Sequence, residues 1–310
     1  MSGIHHVTAI SGSASRNHDF YTRILGLRFV KRTVNFDDPG TYHLYYGDKG
    51  GHPGTILTFF PWEHAAPGRS GTGQTQETAF RVPAASIGYW AHRLVEKGVK
   101  HETVARRFGQ SVLAFSDPDG MSLALIGVEG AENEPGWSAG EIPSEHAIRG
   151  FEGVTLLSAD AVSTAKILTD ALGFEEIGRE DGLIRYRASA AIGGFVNLRD
   201  AKGFLPGRMG RGSVHHVAFR AKDDAEQADI ARKLTGTLGQ QVTEQKNRKY
   251  FRSIYFREPG GVLFEIATDA PGFSVDEPEE VLGETLQLPD FLEAHRREIE
   301  ESLPALERAS

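Results

Sequence analysis

GIHHVTAI (residues 3–10) and SVHHVAFR (213–220) are two copies of one phrase, set far apart in a chain of 310 residues. Each puts a His-His pair at the head of an alternating apolar run, the period-two pattern of a half-buried strand. A third run, EPGGVLFEIA (258–267), follows the second copy and carries Glu265 among Val262, Leu263, Phe264 and Ile266. A carboxylate there is buried, which costs several kcal/mol unless it is neutralised, paired or bound to metal. Two histidines and a glutamate projecting from strands, His6, His216 and Glu265, form a donor set for a catalytic divalent metal.

The bulk composition narrows the function classes. With 39% hydrophobic and 25% charged residues the chain is an ordinary globular protein, and its length suggests two domains. Its 36 glycines suit short strands joined by tight turns. A net charge of −8 with no basic block argues against nucleic-acid or anionic-membrane partners. The lack of cysteine excludes disulfides, iron–sulfur clusters, Cys-ligated zinc and a thiol nucleophile. MSGIHHVTAI has neither the basic nor the apolar segment of a leader, and no apolar stretch reaches membrane length. A soluble, cytoplasmic protein is expected.

A unit of strand, helix and three strands recurs at 4–60, 76–127, 151–200 and 213–268. The helix of the first unit is expected over 15–25, with Ser15 as N-cap and Gly26 as stop. The others are expected near Ser86 to Gly98, Ser163 to Gly173 and Asp223 to Leu234. The polar segment 129–149 reads as a linker between halves 1–128 and 150–270. The stretch 64–76 reads as a flexible connection, without the spacing of a phosphate-binding loop. Residues 271–310 form an acidic tail in which Pro289 opens a helix to about Glu301, packed across the body of the domain. The expected fold class is α+β, four βαβββ modules in two curved mixed sheets.

Aligning the four units on their first strand and on the turn before their last strand matches His6 with Glu77, Gly153 and His216. It matches Glu265 with Phe59, Ala124 and Leu198. Metal-type donors then fall at equivalent positions in units one and four only. A metal needs its donors around one centre, so units one and four are expected to share a sheet and units two and three the other. This runs against the default that consecutive units pack together. Two His and one carboxylate leave coordination positions open, as in non-haem Fe(II) oxygenases, with Mn(II) as the substitute. His18, His43, His52, His64, His92, His101, His146 and His295 receive no special role.

Four βαβββ units, the repeated HHV and GGVLFE together resemble the vicinal oxygen chelate superfamily. LRFVKRT (27–33), YHLYYGDKGGHPGT (42–55), RRFGQ (106–110), IPSEHAIRGF (142–151), QKNRKYFRSIYFREPGGVLFE (245–265) and GFSVDE (272–277) extend the likeness over nearly the whole chain. Within the superfamily the chain looks like ring-cleaving dioxygenases of hydroquinones and chlorohydroquinones. The resemblance implies Fe2+, with Mn2+ as alternative, held by His6, His216 and Glu265, and His5, Thr8, His215, Arg248 and Tyr255 as the surrounding catalytic groups. Arg248 would stabilise developing negative charge, and His215 would hydrogen-bond oxygen or act as acid–base. His5 and Tyr255 would orient a substrate hydroxyl, supported by Thr8. Alternation starts His5 and His215 on the opposite strand face unless a bulge turns them.

The partners implied are a small aromatic diol and O2, with self-association into a homo-oligomer. Alternatives within the same fold are a glyoxalase-like isomerase, a thiol transferase and a non-catalytic drug-binding protein. Phe59 at the fourth equivalent position counts against the isomerase, which would complete a four-ligand shell there. The donor triad counts against the binding module.

Overall fold

The computed structural model describes residues 3–138 and 140–306. The first module is β1 (Ile4–Ser11), α1 (Ala14–Asp19), β2 (Arg28–Asn35), β3 (Asp38–Gly47) and β4 (Ile56–Pro61). The second is β5 (Gln74–Pro83), α2 (Ile87–Glu96), β6 (Ala105–Arg107), β7 (Gln110–Ser116) and β8 (Ser122–Val128). The third is β9 (Phe151–Ser158), α3 (Ala161–Lys166), β10 (Glu175–Glu180), β11 (Leu183–Arg187) and β12 (Phe195–Asp200). The fourth is β13 (Ser213–Ala221), α4 (Asp224–Arg232), β14 (Lys246–Asn247), β15 (Arg252–Arg257) and β16 (Leu263–Thr268).

The helices start where side chains can cap them. Ser13, not Ser15, caps α1, its hydroxyl accepting from the Arg16 N–H, and Ser15 instead donates to the Ala305 carbonyl at 3.1 Å. Asp160 and Asp223 cap α3 and α4. These three helices all relax into a π turn at their ends, over Phe20–Ile24, Ile167–Ala171 and Lys233–Thr237.

Two eight-stranded sheets result, in the orders β14-β15-β16-β13-β1-β4-β3-β2 and β10-β11-β12-β9-β5-β8-β7-β6. Modules one and four therefore share one sheet and modules two and three the other, as the donor chemistry required. The central pairs β1–β13 and β5–β9 are antiparallel, whereas β1–β4 and β13–β16 in the first sheet and β5–β8 and β9–β12 in the second are parallel, so each sheet is mixed.

Alternation sorts each strand's side chains between two environments. Ile4, Val7, Phe59, Val217 and Phe264 of the first sheet join Phe80, Leu125, Val154 and Leu156 of the second in one core, with Tyr21, Trp90, Leu168 and Leu234 from the helical segments. Each such side chain contributes about 1.5–3 kcal/mol by leaving water. The opposite, concave face of the first sheet has its own cluster, including Val30, Tyr45, Ile56, Phe251 and Phe273.

The tail closes over the first sheet. Phe273, Leu282, Leu286 and Leu288 are buried, and the Lys31 ammonium, fully buried, meets the carboxylates of Asp276 and Glu277. The single helix expected from Pro289 is two pieces, a 3₁₀ stretch Asp290–His295 with Pro289 as its cap, then α5 (Arg296–Ser302). Among the described residues no helix is long and apolar enough to cross a membrane.

Candidate metal centre

The site begins with two β-bulges. Along β1 and β13 the pairing jumps from Ile4↔Phe219 to His6↔Ala218, and again from Thr8↔His216 to Ala9↔Val214. His5 and His215 are the extra residues. A bulge lets two consecutive side chains leave the core face, so both histidines of each pair turn inward while Ile4, Val7, Val214 and Val217 stay in the core.

Three donor atoms then converge. The Nε2 atoms of His6 and His216 lie 3.4 Å apart, and Glu265 Oε2 lies 3.3 Å from the first and 2.8 Å from the second. All three residues are buried, and their ligand atoms fall within 4.8 Å of one another. Despite its neighbours, Glu265 Oε2 makes no hydrogen bond of acceptable geometry. It is a buried, unpartnered oxygen clustered with the two Nε2 atoms, which is what a bound cation would satisfy. Burial works against ionising Glu265, but His6 and His216 outweigh it and hold its carboxyl well below the usual range. Burial lowers the His216 pKa, towards the neutral imidazole that metal ligation demands, although the Glu265 charge opposes it.

The back of each ligand is held in the same way. His5 Nδ1 lies 2.9 Å from His6 Nδ1, and His215 Nδ1 lies 2.8 Å from His216 Nδ1. With Nε2 kept for a metal, each ligand donates its Nδ1–H to the preceding histidine, which fixes tautomer and ring orientation. Burial is also the main reason that the His215 pKa falls to about 3 and that of His5 falls well below its ordinary value. Ser253 Oγ donates to Glu265 Oε1.

Beside the donors lies a cavity of about 240 Å³ walled by Phe36, His43, Tyr45, Phe60, Trp62, His215, Arg248, Phe251 and Tyr255. Tyr255 stands directly opposite Glu265 on β15. Its phenol accepts from Arg248 Nε at 3.1 Å, while Arg248 Nη2 reaches Asp37 at 3.0 Å. Burial, then the Glu265 charge, pushes the Tyr255 pKa well above its ordinary value, so it remains a hydrogen-bond donor at neutral pH. Desolvation opposes the Arg248 charge, but Tyr255 and Asp37 together raise its pKa.

The expected site residues divide into three groups. His6, His216 and Glu265 meet at one point, and His215, Arg248 and Tyr255 line the cavity beside them. His5 and Thr8 do not line it. His5 borders a separate cavity of about 220 Å³ behind Phe251 and touches the site through His6 and, edge-on, through the Phe251 ring. Thr8 is fully buried in the sheet, accepting a hydrogen bond from Thr58 at 2.8 Å.

The fourth equivalent position requires correction. Thr8 pairs with Thr58, as Ala218 pairs with Glu265. The pairing of His6 with Ala218 and Thr8 with His216 exchanges His6 with His216 and Thr8 with Ala218. Glu265 therefore corresponds to Thr58, not Phe59, which packs in the core against Tyr21 and Tyr46. The third module's counterpart is likewise Asn197, opposite Thr155, rather than Leu198. Sequence reasoning also passed over His43 and Tyr45, although YHLYY alternates and Tyr42, Leu44 and Tyr46 supply the core-facing half.

The family model for the Glyoxalase/Bleomycin resistance protein/Dioxygenase superfamily matches residues 3–125 and 150–266. The chain is 47% identical over 304 residues to "Putative ring-cleaving dioxygenase MhqO" of Bacillus subtilis (strain 168), covering 97% of this chain and 95% of that one. It is 33% identical over 307 residues to the chlorohydroquinone/hydroquinone 1,2-dioxygenase of Sphingobium indicum, covering 96% and 95%. A crystal structure of a B. subtilis protein described as a "putative dioxygenase" superposes with a TM-score of 0.94 at 47% identity, covering 98% of this chain and 97% of that one. Glyoxalase I of Zea mays shares the fold, with a TM-score of 0.64 at 15% identity over 87% of this chain and 93% of that one. Repeat architecture, inward-turned histidines and these matches agree: the chain belongs to the glyoxalase/bleomycin resistance/dioxygenase superfamily.

Proposed function

We propose that this protein is a ring-cleaving dioxygenase that inserts O2 into a hydroquinone-type aromatic diol, using Fe(II), or Mn(II) in its place, held by His6, His216 and Glu265. The observation that carries the reading is the convergence of three donors on the wall of an aromatic cavity, with no fourth donor in that group among the described residues. The names of the relatives supply the reaction class.

When bound, the metal supplies a Lewis acid that eases ionisation of a phenolic hydroxyl and a redox-active centre for O2. The rest of the work falls to the chain. The cavity of about 240 Å³ exceeds the ~150 Å³ pocket that accepts benzene, so it suits one substituted ring. Phe36, Phe60, Trp62 and Phe251 offer that ring aromatic faces and keep water out. The phenol of Tyr255, protonated and accepting from Arg248, donates to an oxygen of the substrate. Arg248, tied to Asp37, places a permanent positive charge where negative charge develops. His215 has one nitrogen engaged by His216 and offers the other to oxygen. His5 and Thr8 contribute from behind, His5 by fixing His6 and Thr8 through Thr58. Self-association into a homo-oligomer belongs to the same reading and is checked by sedimentation.

The test is O2 uptake by protein loaded anaerobically with Fe(II) and given hydroquinone, methylhydroquinone or catechol. Uptake with a hydroquinone, lost in Glu265→Ala together with bound metal, is the expected result. No uptake with any diol, or uptake indifferent to Glu265→Ala, would sink it.

A further inference from the structure

The pseudo-two-fold relation between modules one and four exchanges His6 with His216, and Glu265 with Thr58. Three of these four positions carry donors. The fourth carries a threonine, whose side chain ends well short of where a glutamate carboxylate reaches.

The Thr58 hydroxyl is not idle. It donates to Thr8 Oγ1 at 2.8 Å, and His43 Nε2 lies 2.8 Å from it. Since Thr58 gives its proton to Thr8, it accepts from His43, which puts the His43 proton on Nε2. The bare Nδ1 then accepts from the Tyr45 phenol at 2.8 Å. His43 itself is wedged between the rings of Tyr45 and Phe60, with centroids 4.1 and 4.4 Å away. His43 and Tyr45 both face the cavity that holds the three donors.

We propose that Thr58 marks a coordination position the chain leaves unfilled, and that His43 is the positioning residue for the wall beside it, engaging the Thr58 hydroxyl on one ring nitrogen and fixing the Tyr45 phenol on the other. The position is then taken by an oxygen donor from outside the chain, for which Tyr45 and His43 form the adjoining wall. Arg248 and Tyr255 serve the other side. This rests on the reading of His6, His216 and Glu265 as metal ligands and extends it to where an exogenous ligand enters.

The test uses the full chain loaded with Co(II), whose optical spectrum reports coordination, titrated with hydroquinone and challenged with EDTA. Thr58→Glu supplies the missing carboxylate: EDTA is expected to strip the metal at least ~10-fold more slowly, and the spectrum to stop responding to hydroquinone. His43→Phe keeps the ring stack and removes both hydrogen bonds. It is expected to retain one Co(II) but bind hydroquinone ~10-fold more weakly, with His43→Gln recovering part of the loss. If Thr58→Glu fails to fold, the near-isosteric Thr58→Val is expected to behave as His43→Phe does. Wild-type metal retention and hydroquinone response in Thr58→Glu, or a wild-type hydroquinone titration in His43→Phe or Thr58→Val, would overturn the proposal. A wild-type chain that binds Co(II) and hydroquinone, yet consumes no O2 with Fe(II), defeats the dioxygenase reading and leaves this comparison standing. One that takes up no divalent metal overturns both.

Discussion

At the scale of single residues, the site is made of groups that each do one thing because a neighbour forbids the alternative. His216 offers Nε2 because its Nδ1 is held by His215, and His6 offers Nε2 because its Nδ1 is held by His5. Tyr255 is the group most exposed to test. Its ring meets His216 edge-on with centroids 5.8 Å apart, and its phenol accepts from Arg248. Tyr255→Phe keeps the ring contact and removes only the hydroxyl. Metal content should therefore stay at the wild-type level while kcat for hydroquinone-dependent O2 uptake falls by ~10²-fold, the usual loss for one well-placed donor. Because the donor acts on charge that develops during reaction, KM should move far less than kcat. An unchanged kcat would remove Tyr255 from the chemistry.

At the scale of strands and turns, the sequence carried the repeat, the donors and, through the donors, the pairing of modules one and four. It did not carry the register of β4. Glycines of positive φ stand four residues before each equivalent position: Gly54 (93°), Gly120 (88°), Gly193 (69°) and Gly261 (100°) precede Thr58, Ala124, Asn197 and Glu265. The prolines are a false anchor, since Pro53 adjoins its glycine while Pro118 and Pro259 stand two residues before theirs. A slip of one residue moves a side chain to the other face of a strand, which is why Phe59 displaced Thr58. The bulges at His5 and His215 are equally silent in sequence, and His43 becomes meaningful only once β3 is known to lie beside β4. The turn before β8 also has a measurable consequence. Asp117 Oδ1 accepts from the Asp119 and Met121 N–H groups, and burial nevertheless raises its pKa to about 6. The folded chain then keeps this proton to higher pH than the unfolded chain does. Stability is lost as pH rises from the unfolded value near 4 to about 6 and changes no further above that. Asp117→Asn should abolish this slope. Its urea midpoint relative to wild type should improve between pH 4 and pH 7 by the equivalent of about 2–3 kcal/mol. A constant offset between the two proteins across that range would show that Asp117 does not titrate this way.

At the scale of the whole molecule, one sheet carries metal-type donors at its central positions and the other carries ion pairs and amides at the equivalent ones. In the second sheet the place of His6 belongs to Glu77, which Arg107 clamps through both carboxylate oxygens, and Gln110 joins Glu152 to Arg185. Fixed cation–carboxylate pairs and amides there occupy the space that a ligand cluster would need, and the working site depends on the two ends of the chain meeting. That dependence is topological rather than covalent. β1–β13 and β5–β9 each pair one half of the sequence with the other, and the common core draws side chains from both. The segment joining the halves is pinned by Ile142 and Ile148 in the core, but Gly140 is exposed, with open space around the backbone. A protease site inserted after Gly140 and then cut should therefore leave one particle by size exclusion, still holding one Co(II) per pair of fragments. The cut releases little beyond loop entropy, which grows only slowly with length, against many buried side chains worth about 1.5–3 kcal/mol each. If the fragments part, or the metal is lost while they stay together, then the connection itself shapes the site, and the pairing of the first and last modules is not enough to build it.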